Sequence, residues 1–227
     1  MITARLDHSA VRLASGEVLI LGGRVGLQPL DNVELYDPQT NLWRAMPSMS
    51  SPRAVPAASL LNDGTVLVSG GYDFSSAVFS SELFHPATET WVSVGSMHGN
   101  RADHTQLTLL DGRALVIGGD ASGSVNTAEI YNQSSRTWIT TGSMHEARNI
   151  HKAVLLRNGK VLVTGGLAVN SVRLNTAEVF DPSIGVWYYT SAMFSSRYEH
   201  IMVVLNNGNI LVAGGDDNLS IDGCELY

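Results

Sequence analysis

The sequence predicts an all-β protein built from five tandem copies of one small antiparallel sheet. Three observations carry this prediction. A Gly-Gly pair recurs with first glycines 48, 48, 47 and 49 residues apart, short β-branched apolar runs end at these pairs, and four copies place a Trp seven residues after an aromatic residue. A period of this size is typical of architectures in which identical supersecondary units pack on one another. The pairs stand at Gly22-Gly23, Gly70-Gly71, Gly118-Gly119, Gly165-Gly166 and Gly214-Gly215.

Each copy opens with the pattern Met-x-x-x-Arg and continues into a short apolar segment, which we call strand a. The arginines are Arg5, Arg53, Arg101, Arg148 and Arg197. The apolar segments cover residues 9–13, 57–61, 105–110, 153–156 and 201–205. They are long enough for a strand and too short for a helix.

A tight turn and a second strand follow strand a. The turn dipeptides are Ser15-Gly16, Asp63-Gly64, Asp111-Gly112, Asn158-Gly159 and Asn207-Gly208. Asn or Asp before Gly predicts a two-residue hairpin with positive φ angles at both positions. Strand b then reads EVLILGG, TVLVSGG, RALVIGG, KVLVTGG or NILVAGG. A continuous apolar run of this kind indicates a strand that is covered on both faces.

Two further strands complete the copy. After a loop of variable length, strand c reads VELYD, SELFH, AEIYN, AEVFD or CELY, with a Glu two residues before the aromatic in every copy. The Trp that follows, at Trp43, Trp91, Trp138 and Trp187, belongs to strand d. A four-stranded sheet cannot bury both of its faces alone, so the copies are expected to stack as blades around an axis, which is a β-propeller. We treat residues 1–227 as one array, with repeats at approximately 1–48, 49–96, 97–143, 144–192 and 193–227.

These recurring residues resemble kelch repeats, in the style of the central propeller of the galactose oxidase family. The likeness covers the Gly-Gly pair, the Glu-aliphatic-aromatic triplet, the later Trp and the Met-x-x-x-Arg of all copies. It implies the fold much more than a function. Propellers of this family are often closed by a strand from the other terminus, and the resemblance implies six or seven blades.

The fifth copy ends at Tyr227, before a strand d. Met1 already stands where the first copy begins, so the N-terminus does not supply that strand. Either five blades close with one short edge, or the last blade pairs with another chain or a missing segment. An exposed sheet edge is usually covered in stable proteins, which favours an incomplete copy.

Composition narrows the class of partner. The formal charge is −7 and the lysines are Lys152 and Lys160, which argues against nucleic acid or an anionic membrane as the main partner. The first residues lack the apolar core of a signal peptide, and no apolar run approaches the length of a membrane span. By default we expect a cytoplasmic protein.

The topology predicts where a binding site would lie. If strands a to d alternate in direction, the d-to-a links and the b-to-c loops emerge at the same end of the blades. The five blade arginines and the variable loops at residues 24–31, 72–80, 120–126, 167–175 and 216–223 then share one mouth. A ring of guanidinium groups is suited to carboxylates, and the resemblance implies that kelch propellers binding acidic peptides use this Arg.

A structural interpretation of the arginines stays open. Glu34, Glu82, Glu129, Glu178 and Glu225 are as regular as the arginines and start strand c near the same mouth. A partly buried Glu needs a partner, so the two sets invite pairing between blades. Residues that differ between copies are better candidates for specificity, and Arg and aromatic side chains on loops are typical anchors for a partner. These candidates are Arg24, Tyr72, Phe74, Arg173, Tyr198, Asp216 and Asp217.

Histidines recur three residues after the blade Arg, at His8, His104, His151 and His200, with Pro56 in the remaining copy. Such residues could converge on a metal ion. The pattern lacks the paired Cys and His spacing of structural metal sites, so we expect no metal and interpret these imidazoles as bonding to the backbone of a neighbouring blade.

The sequence thus favours a non-catalytic scaffold that binds a protein or acidic peptide at its Arg-lined mouth, without a cofactor. The alternative is a remnant or relative of a copper radical oxidase of the galactose oxidase kind. The resemblance implies that such an oxidase carries a Tyr two residues after a blade Arg and a second Tyr joined to a Cys. Here the positions are Asp7, Val55, Asp103, Ile150 and Glu199, and the single cysteine, Cys224, lies in strand c.

Overall fold

A computed structural model describes residues 1–217 and 222–227 of the chain, and nearly all of its regular structure is β-strand. Short turns connect the strands into five main sheets, each antiparallel where its register is defined. The helical structure of the described residues is one 3₁₀ turn, Val169–Ser171. No helix within the described residues is long and apolar enough to cross a membrane.

The first two sheets follow the predicted order of strands. The first contains β1 (Ser9–Arg12), β2 (Val18–Leu21), β5 (Val33–Asp37) and β6 (Leu42–Met46), with a small added hairpin of β3 (Arg24–Val25) and β4 (Gln28–Pro29). The second contains β7 (Ala57–Leu60), β8 (Val66–Ser69), β9 (Ser81–His85) and β10 (Thr90–Val94).

The remaining sheets repeat this order. The third contains β11 (Thr105–Thr108), β12 (Ala114–Ile117), β13 (Ala128–Asn132) and β14 (Thr137–Thr140). The fourth contains β15 (Lys152–Leu155), β16 (Val161–Thr164), β17 (Ala177–Asp181) and β18 (Val186–Tyr189). The fifth contains β19 (Ile201–Val204), β20 (Ile210–Ala213) and β21 (Cys224–Leu226). The predicted fold class is confirmed: the protein is all-β, with propeller blades of four antiparallel strands and a last blade of three.

The chain divides into two compact units. The first unit comprises Met1–Ala102, Asp111–Ala114 and Tyr131–Ile139. The second comprises Asp103–Leu110, Leu115–Ile130 and Thr140–Tyr227. The prediction that residues 1–227 form one uninterrupted array stays a prediction.

The second strand of each blade forms the centre of its core, as its continuous apolar run predicts. All four residues of β8 and of β16 are buried. In the first unit Leu19, Leu21, Val66 and Val68 belong to one apolar cluster. In the second unit the β16 residues contribute to two clusters, one with Phe180 and Trp187 and one with Met193 and Val212. Burial on both faces explains why alternation of polar and apolar residues is missing from these strands.

The turns between the first and second strands differ from the prediction. Gly16 has a φ of +94°, but the residue before each turn glycine does not adopt a positive φ, so these are not two-residue hairpins with two left-handed positions. Gly16 N–H donates to Leu13 O and Leu13 N–H donates to Glu17 O, which closes a three-residue loop. Where Asp or Asn precedes the glycine, its side-chain oxygen accepts from the N–H two residues on, as in Asp63 with Thr65 at 2.9 Å.

The Trp of each complete blade packs at a tilt against the aromatic residue seven positions earlier. Ring centroids are 4.9 Å apart for Tyr36–Trp43 and Phe180–Trp187, 5.0 Å for Phe84–Trp91 and 5.3 Å for Tyr131–Trp138. Two of the indoles also reach the preceding blade. Trp91 Nε1 donates to Pro47 O and Trp187 Nε1 donates to Gly142 O, each at 2.8 Å. The Trp thus joins adjacent blades as well as its own strands.

Candidate functional site

The five blade arginines are buried. Their exposed fractions are 7% for Arg5, 0% for Arg53 and Arg148, and 1% for Arg101 and Arg197. Arg148 shows the arrangement: Nη1 donates to Gly165 O at 2.8 Å and to Thr176 O at 3.2 Å, and Nη2 donates to Glu178 Oε1 at 3.1 Å. These guanidinium groups hold the start of strand c against the end of strand b in one blade.

The repeated glutamates pair with the blade arginines of the first, second, fourth and fifth repeats. Arg5 pairs with Glu34 at 2.6 Å, Arg53 with Glu82 at 3.1 Å, and Arg197 with Glu225 at 2.6 Å. In each pair both residues belong to the same repeat, so our expectation of pairing between blades is wrong. The physical reason is that the Arg precedes strand a and reaches across strand b of its own sheet. This geometry favours the structural interpretation of the five arginines over the guanidinium-lined pocket.

The electrostatics of these pairs agree with buried, ionised partners. Burial alone raises the pKa of Glu34, but the N–H groups of Ile2 and Thr3 and the guanidinium of Arg5 outweigh it, and the net pKa is lowered. Burial lowers the pKa of Arg148, while the carboxylate of Glu178 opposes that shift. A charge that is removed from water in this way must keep its partner, because an unpaired buried charge is costly.

The backbone of the same arginines connects adjacent blades. Gly23 N–H donates to Arg53 O at 2.8 Å in the first unit, and Gly166 N–H donates to Arg197 O at 2.9 Å in the second. A Cβ added at Gly165, where φ is +60°, would lie 2.3 Å from Arg197 O. The Gly-Gly pair is therefore required where the next blade approaches.

A constant backbone frame holds the variable loops. In each of four loops, one apolar residue makes two backbone hydrogen bonds. Its N–H donates to the carbonyl oxygen of the second glycine of its own blade, and its carbonyl oxygen accepts from the N–H of the arginine that begins the next blade. These residues are Leu30, Val78, Val125 and Leu174. The residue directly after the Gly-Gly pair also forms an antiparallel bridge with the residue directly after the blade Arg, as in Leu6 with Arg24 and Tyr198 with Asp216. The frame repeats while the side chains that it presents differ.

A left-handed residue recurs two positions after each blade Arg, a feature that the sequence did not predict. The residues are Asp7, Val55, Asp103, Ile150 and Glu199, with φ between 48° and 56°. Val55 N–H donates to Asp7 O at 2.8 Å in the first unit, and Ile150 N–H donates to Asp103 O at 3.0 Å in the second. A positive φ is strained for β-branched Val and Ile, so these bonds between blades must impose it. Only the recurrence of the position could have indicated it.

In the second unit three of the variable candidates lie together, and we call Arg173, Tyr198, Asp216 and the adjoining Glu199 the second-unit loop surface. Tyr198 and Asp216 exchange backbone hydrogen bonds of 3.2 and 3.0 Å. Partial burial raises the pKa of the Tyr198 hydroxyl, and a side-chain hydrogen bond with Asp216 raises it further, while Arg173 acts in the opposite direction. Asp217 is exposed beside this surface, and residues 218–221 of the predicted fifth loop lie outside the described part of the chain.

In the first unit the other candidates stand on two loops. Arg24 Nε donates to the Asp7 carboxylate and Nη1 donates to Gly26 O at 2.7 Å, so Arg24 is engaged within its own blade. Tyr72 forms bridges with Ala54 and Ala77. Phe74 follows Tyr72 on a turn that the carboxylate of Asp73 closes, and 67% of its surface is exposed. Phe74 is thus an apolar side chain held outward on an ordered turn.

Of the four histidines that follow the left-handed residues, His104, His151 and His200 are buried, whereas His8 is exposed. His151 and His200 have exposed fractions of 2% and 0%. His200 Nε2 lies 2.9 Å from the Thr164 hydroxyl of the preceding blade, so its partner is a side chain and not the backbone that we expected. For His151, the equivalent position in the preceding blade holds Ile117, which has no hydroxyl group. Neither ring nitrogen of His151 has a hydrogen-bond partner among the described residues. No group of three or more His, Cys, Asp or Glu within the described residues is arranged to hold a metal ion.

These imidazoles predict acid sensitivity. Burial, with Lys152 and Arg197 nearby, lowers the pKa of His200 from 6.5 to about 4, and burial with Arg148 lowers that of His151 well below 6.5. A histidine with a depressed folded-state pKa stabilises the fold fully above pH 6.5, and that stability is lost as the pH falls toward the folded value. His200 alone should therefore remove about 3 kcal/mol of unfolding free energy between pH 6.5 and pH 4. Urea unfolding across this range measures it.

The control for this prediction is His200→Gln, which keeps a polar group beside Thr164 without the titration. As the pH falls, the unfolding free energy of this variant should decrease less steeply than that of the wild type. The two slopes should differ by about 1.4 kcal/mol per pH unit, because the variant lacks one titrating proton. A wild-type slope in this variant would contradict the assignment to His200. Glu34 and Glu225 have lowered pKa values in the folded state. Their contribution to stability is therefore lost only as the pH falls below their unfolded pKa, at the acid end of the range.

Comparisons with known proteins bear on the family. The model of the kelch motif matches residues 6–50, 53–98, 106–145 and 151–193, which together make up more than half of the chain. Among solved structures, that of YjhT is similar, with a TM-score of 0.82, 14% sequence identity, and coverage of 98% of this chain and 81% of that chain. At such an identity the likeness shows the fold alone. A search of curated proteins found no significant match. The matched motifs and the blades that they form show that the chain belongs to the kelch-motif family.

Proposed function

We propose that this protein is a non-catalytic binding module that holds a segment of a partner protein on its variable loops. The observation that carries this proposal is the constant backbone frame, which presents a different side chain in each blade at the same place. Loops on a rigid scaffold are where binding residues concentrate. The left-handed residues next to this frame are further support, because strained backbone is enriched in ligand-binding sites.

The chemistry of the second-unit loop surface indicates the partner. Tyr198 offers an aromatic face, Glu199 is exposed, and Asp217 adds an exposed carboxylate beside them. The prediction of an acidic peptide as partner requires guanidinium groups that face the mouth. Since those groups are buried and ion-paired, we propose instead a partner segment that carries Lys or Arg next to an aromatic residue. The net charge of −7 on this chain also favours a positively charged partner segment.

No observation favours the oxidase alternative. The position two after each blade Arg, where the resemblance implies a Tyr, holds Asp, Val, Asp, Ile and Glu. Cys224 is exposed in β21. We therefore propose no copper radical site.

Selection from a peptide library displayed on phage tests the proposed partner. We expect enrichment of peptides that carry Lys or Arg beside an aromatic residue. The affinity of the best peptide should fall about tenfold or more with Tyr198→Ala, because interface aromatics are frequent hot spots. Fluorescence anisotropy measures this affinity, and higher salt should weaken it.

The matched control is Tyr188→Ala, which removes another partly exposed tyrosine of the same unit from strand β18. This variant should bind the selected peptide as the wild type does. Equal losses in the two variants, or selection of acidic peptides, would contradict the proposal.

A further inference from the structure

A groove lies between the first two blades, at the end of the blades where strand a turns into strand b. Its volume is about 240 Å³, and residues of both blades line it. Leu13, Leu35 and Met46 come from the first blade and Phe84 comes from the second, and all four side chains are buried. The groove therefore has an apolar floor beneath an opening to solvent.

The small side chain of Ala14 leaves this groove open. In the next three blades the residue at the same position lies over the turn glycine of the following blade, and these residues are Asn62, Leu110 and Arg157. A Cβ added to Gly159 would lie 3.1 Å from Leu110 Cδ1. A Cβ added to Gly64, which lines the groove, would have no atom within 4 Å beyond its own chain neighbours. The first blade thus lacks the side chain that the other repeats place here.

The fourth blade shows that an arginine suits this position. Cδ and Nη1 of Arg157 each lie 3.8 Å from the place where a Cβ on Gly208 would stand. Nη2 of the same side chain donates to the carbonyl oxygen of Asn206 in the next blade. An arginine can cover apolar surface with its aliphatic stem while its guanidinium reaches a polar acceptor. Beside Ala14, the same type of side chain can be supplied from outside the chain.

The charges that line the groove favour a cation. Glu17 lines it, and its Oε2 accepts from the Ser15 hydroxyl, a neutral partner, at 2.8 Å. Within the described part of the chain Glu17 forms no ion pair, although Arg12 belongs to the same hairpin. Arg44 also lines the groove, but its Nη1 is paired with Glu89 at 2.7 Å. The carboxylate of Glu17 is therefore the charge left to balance, and a guanidinium matches its geometry.

We propose that this groove binds an arginine side chain of a partner polypeptide, with the stem against Leu35 and Phe84 and the guanidinium at Glu17. A polypeptide fits better than a free guanidino compound, because an apolar side chain adjoins the groove. Leu42 lies two residues before Arg44 on the same face of β6, and 66% of its surface is exposed. This inference goes beyond the loop-binding proposal, because the groove belongs to the first unit and the loop surface to the second.

The probe is the peptide acetyl-Leu-Arg-Leu-amide, titrated into isotope-labelled protein and followed through the amide resonances in NMR spectra. We expect saturable shifts at the groove, at Ser15, Gly64 and Phe84. A peptide with citrulline in place of Arg keeps the shape of the side chain without its charge. It should bind about fivefold more weakly or worse, because hydrogen bonds to charged groups are the stronger ones. A peptide with norleucine, which keeps only the stem, should bind more weakly still.

Two substitutions test the site from the side of the protein. Ala14→Leu should place a side chain over Gly64 and lower the affinity for the Arg peptide about tenfold or more by obstruction. Its melting temperature should equal or exceed that of the wild type, because filling a groove tends to stabilise a fold. Glu17→Gln should weaken the Arg peptide by about fivefold and leave the citrulline peptide nearly unchanged. The matched control, Asn62→Leu, changes the same position of the next blade and should bind as the wild type does.

The proposal is overturned if no shifts occur at the groove, if the Arg and norleucine peptides bind equally, or if folded Ala14→Leu binds as the wild type does. A dimer that Ala14→Leu abolishes and the peptide does not disrupt would assign the groove to a second copy instead. If Ala14→Leu does not fold, the comparison of Glu17→Gln with the wild type still decides. The loop variant Tyr198→Ala should bind this peptide normally, so a failure of either proposal is distinguishable from a failure of the other.

Discussion

Arg148→Ala is expected to lower the free energy of unfolding by about 3–5 kcal/mol, which is the usual effect of removing one partner of a buried ion pair. Arg148 has no exposed surface, and its Nη2 donates to Glu178 Oε1 at 3.1 Å. Without the guanidinium, Glu178 keeps a buried charge, and the carbonyl oxygens of Gly165 and Thr176 lose a donor. Urea unfolding followed by circular dichroism measures the loss.

The control for Arg148 is Arg157→Ala, since Arg157 is exposed and donates to the carbonyl oxygen of Asn206. This variant should change stability by less than about 1 kcal/mol. If Arg148→Ala instead kept the wild-type stability and lost binding to a partner peptide, the arginines would be ligand contacts and the structural interpretation would be wrong.

Trp187→Ala should destabilise the protein by about 3–5 kcal/mol, the range for deletion of a buried large aromatic side chain. Trp187 is 4% exposed, its ring centroid lies 4.9 Å from that of Phe180, and its Nε1 donates to Gly142 O. The substitution therefore opens a cavity and leaves a carbonyl oxygen of the preceding blade without its donor. Thermal and urea unfolding of the variant measure the effect.

Trp43→Ala is the matched comparison. Trp43 stacks on Tyr36 at the same 4.9 Å, but its ring is only partly buried, and its indole N–H has no partner among the described residues. The loss for Trp43 should be clearly smaller than the loss for Trp187. Equal losses would mean that stacking within the blade accounts for the whole effect and that the contact with the preceding blade adds nothing.

Most of the blade could be predicted from local signals. The apolar run before each Gly-Gly pair predicts the buried second strand, and β16 is buried at all four positions. The Trp after strand c predicts a fourth strand, and in the fourth blade β18 carries Trp187 directly opposite Phe180. A turn does lie at Asp63-Gly64, as this dipeptide predicts, but its geometry differs from a two-residue hairpin, because the Asp63 side chain accepts from Thr65 N–H and only the glycine adopts a positive φ.

The candidate site could be predicted only in part. The variability of Arg173, Tyr198 and Asp216 between copies indicated loop positions, and the structure brings these three residues together. The sequence did not predict the left-handed conformation of Val55 and Ile150, because neither residue type prefers a positive φ. That conformation results from hydrogen bonds between blades that are 47 or 48 residues apart in the chain.

The sequence by itself determined the repeat and the order of strands in each blade, because these depend on periodicity and on residue type. Only the tertiary structure decided where the blade arginines point. A guanidinium at the start of strand a can face solvent or reach across strand b. It takes the second orientation when carbonyl oxygens and a carboxylate of the same sheet lie together on the far side of strand b. In Arg148 they do, with Gly165, Thr176 and Glu178, so the charge is buried inside the blade.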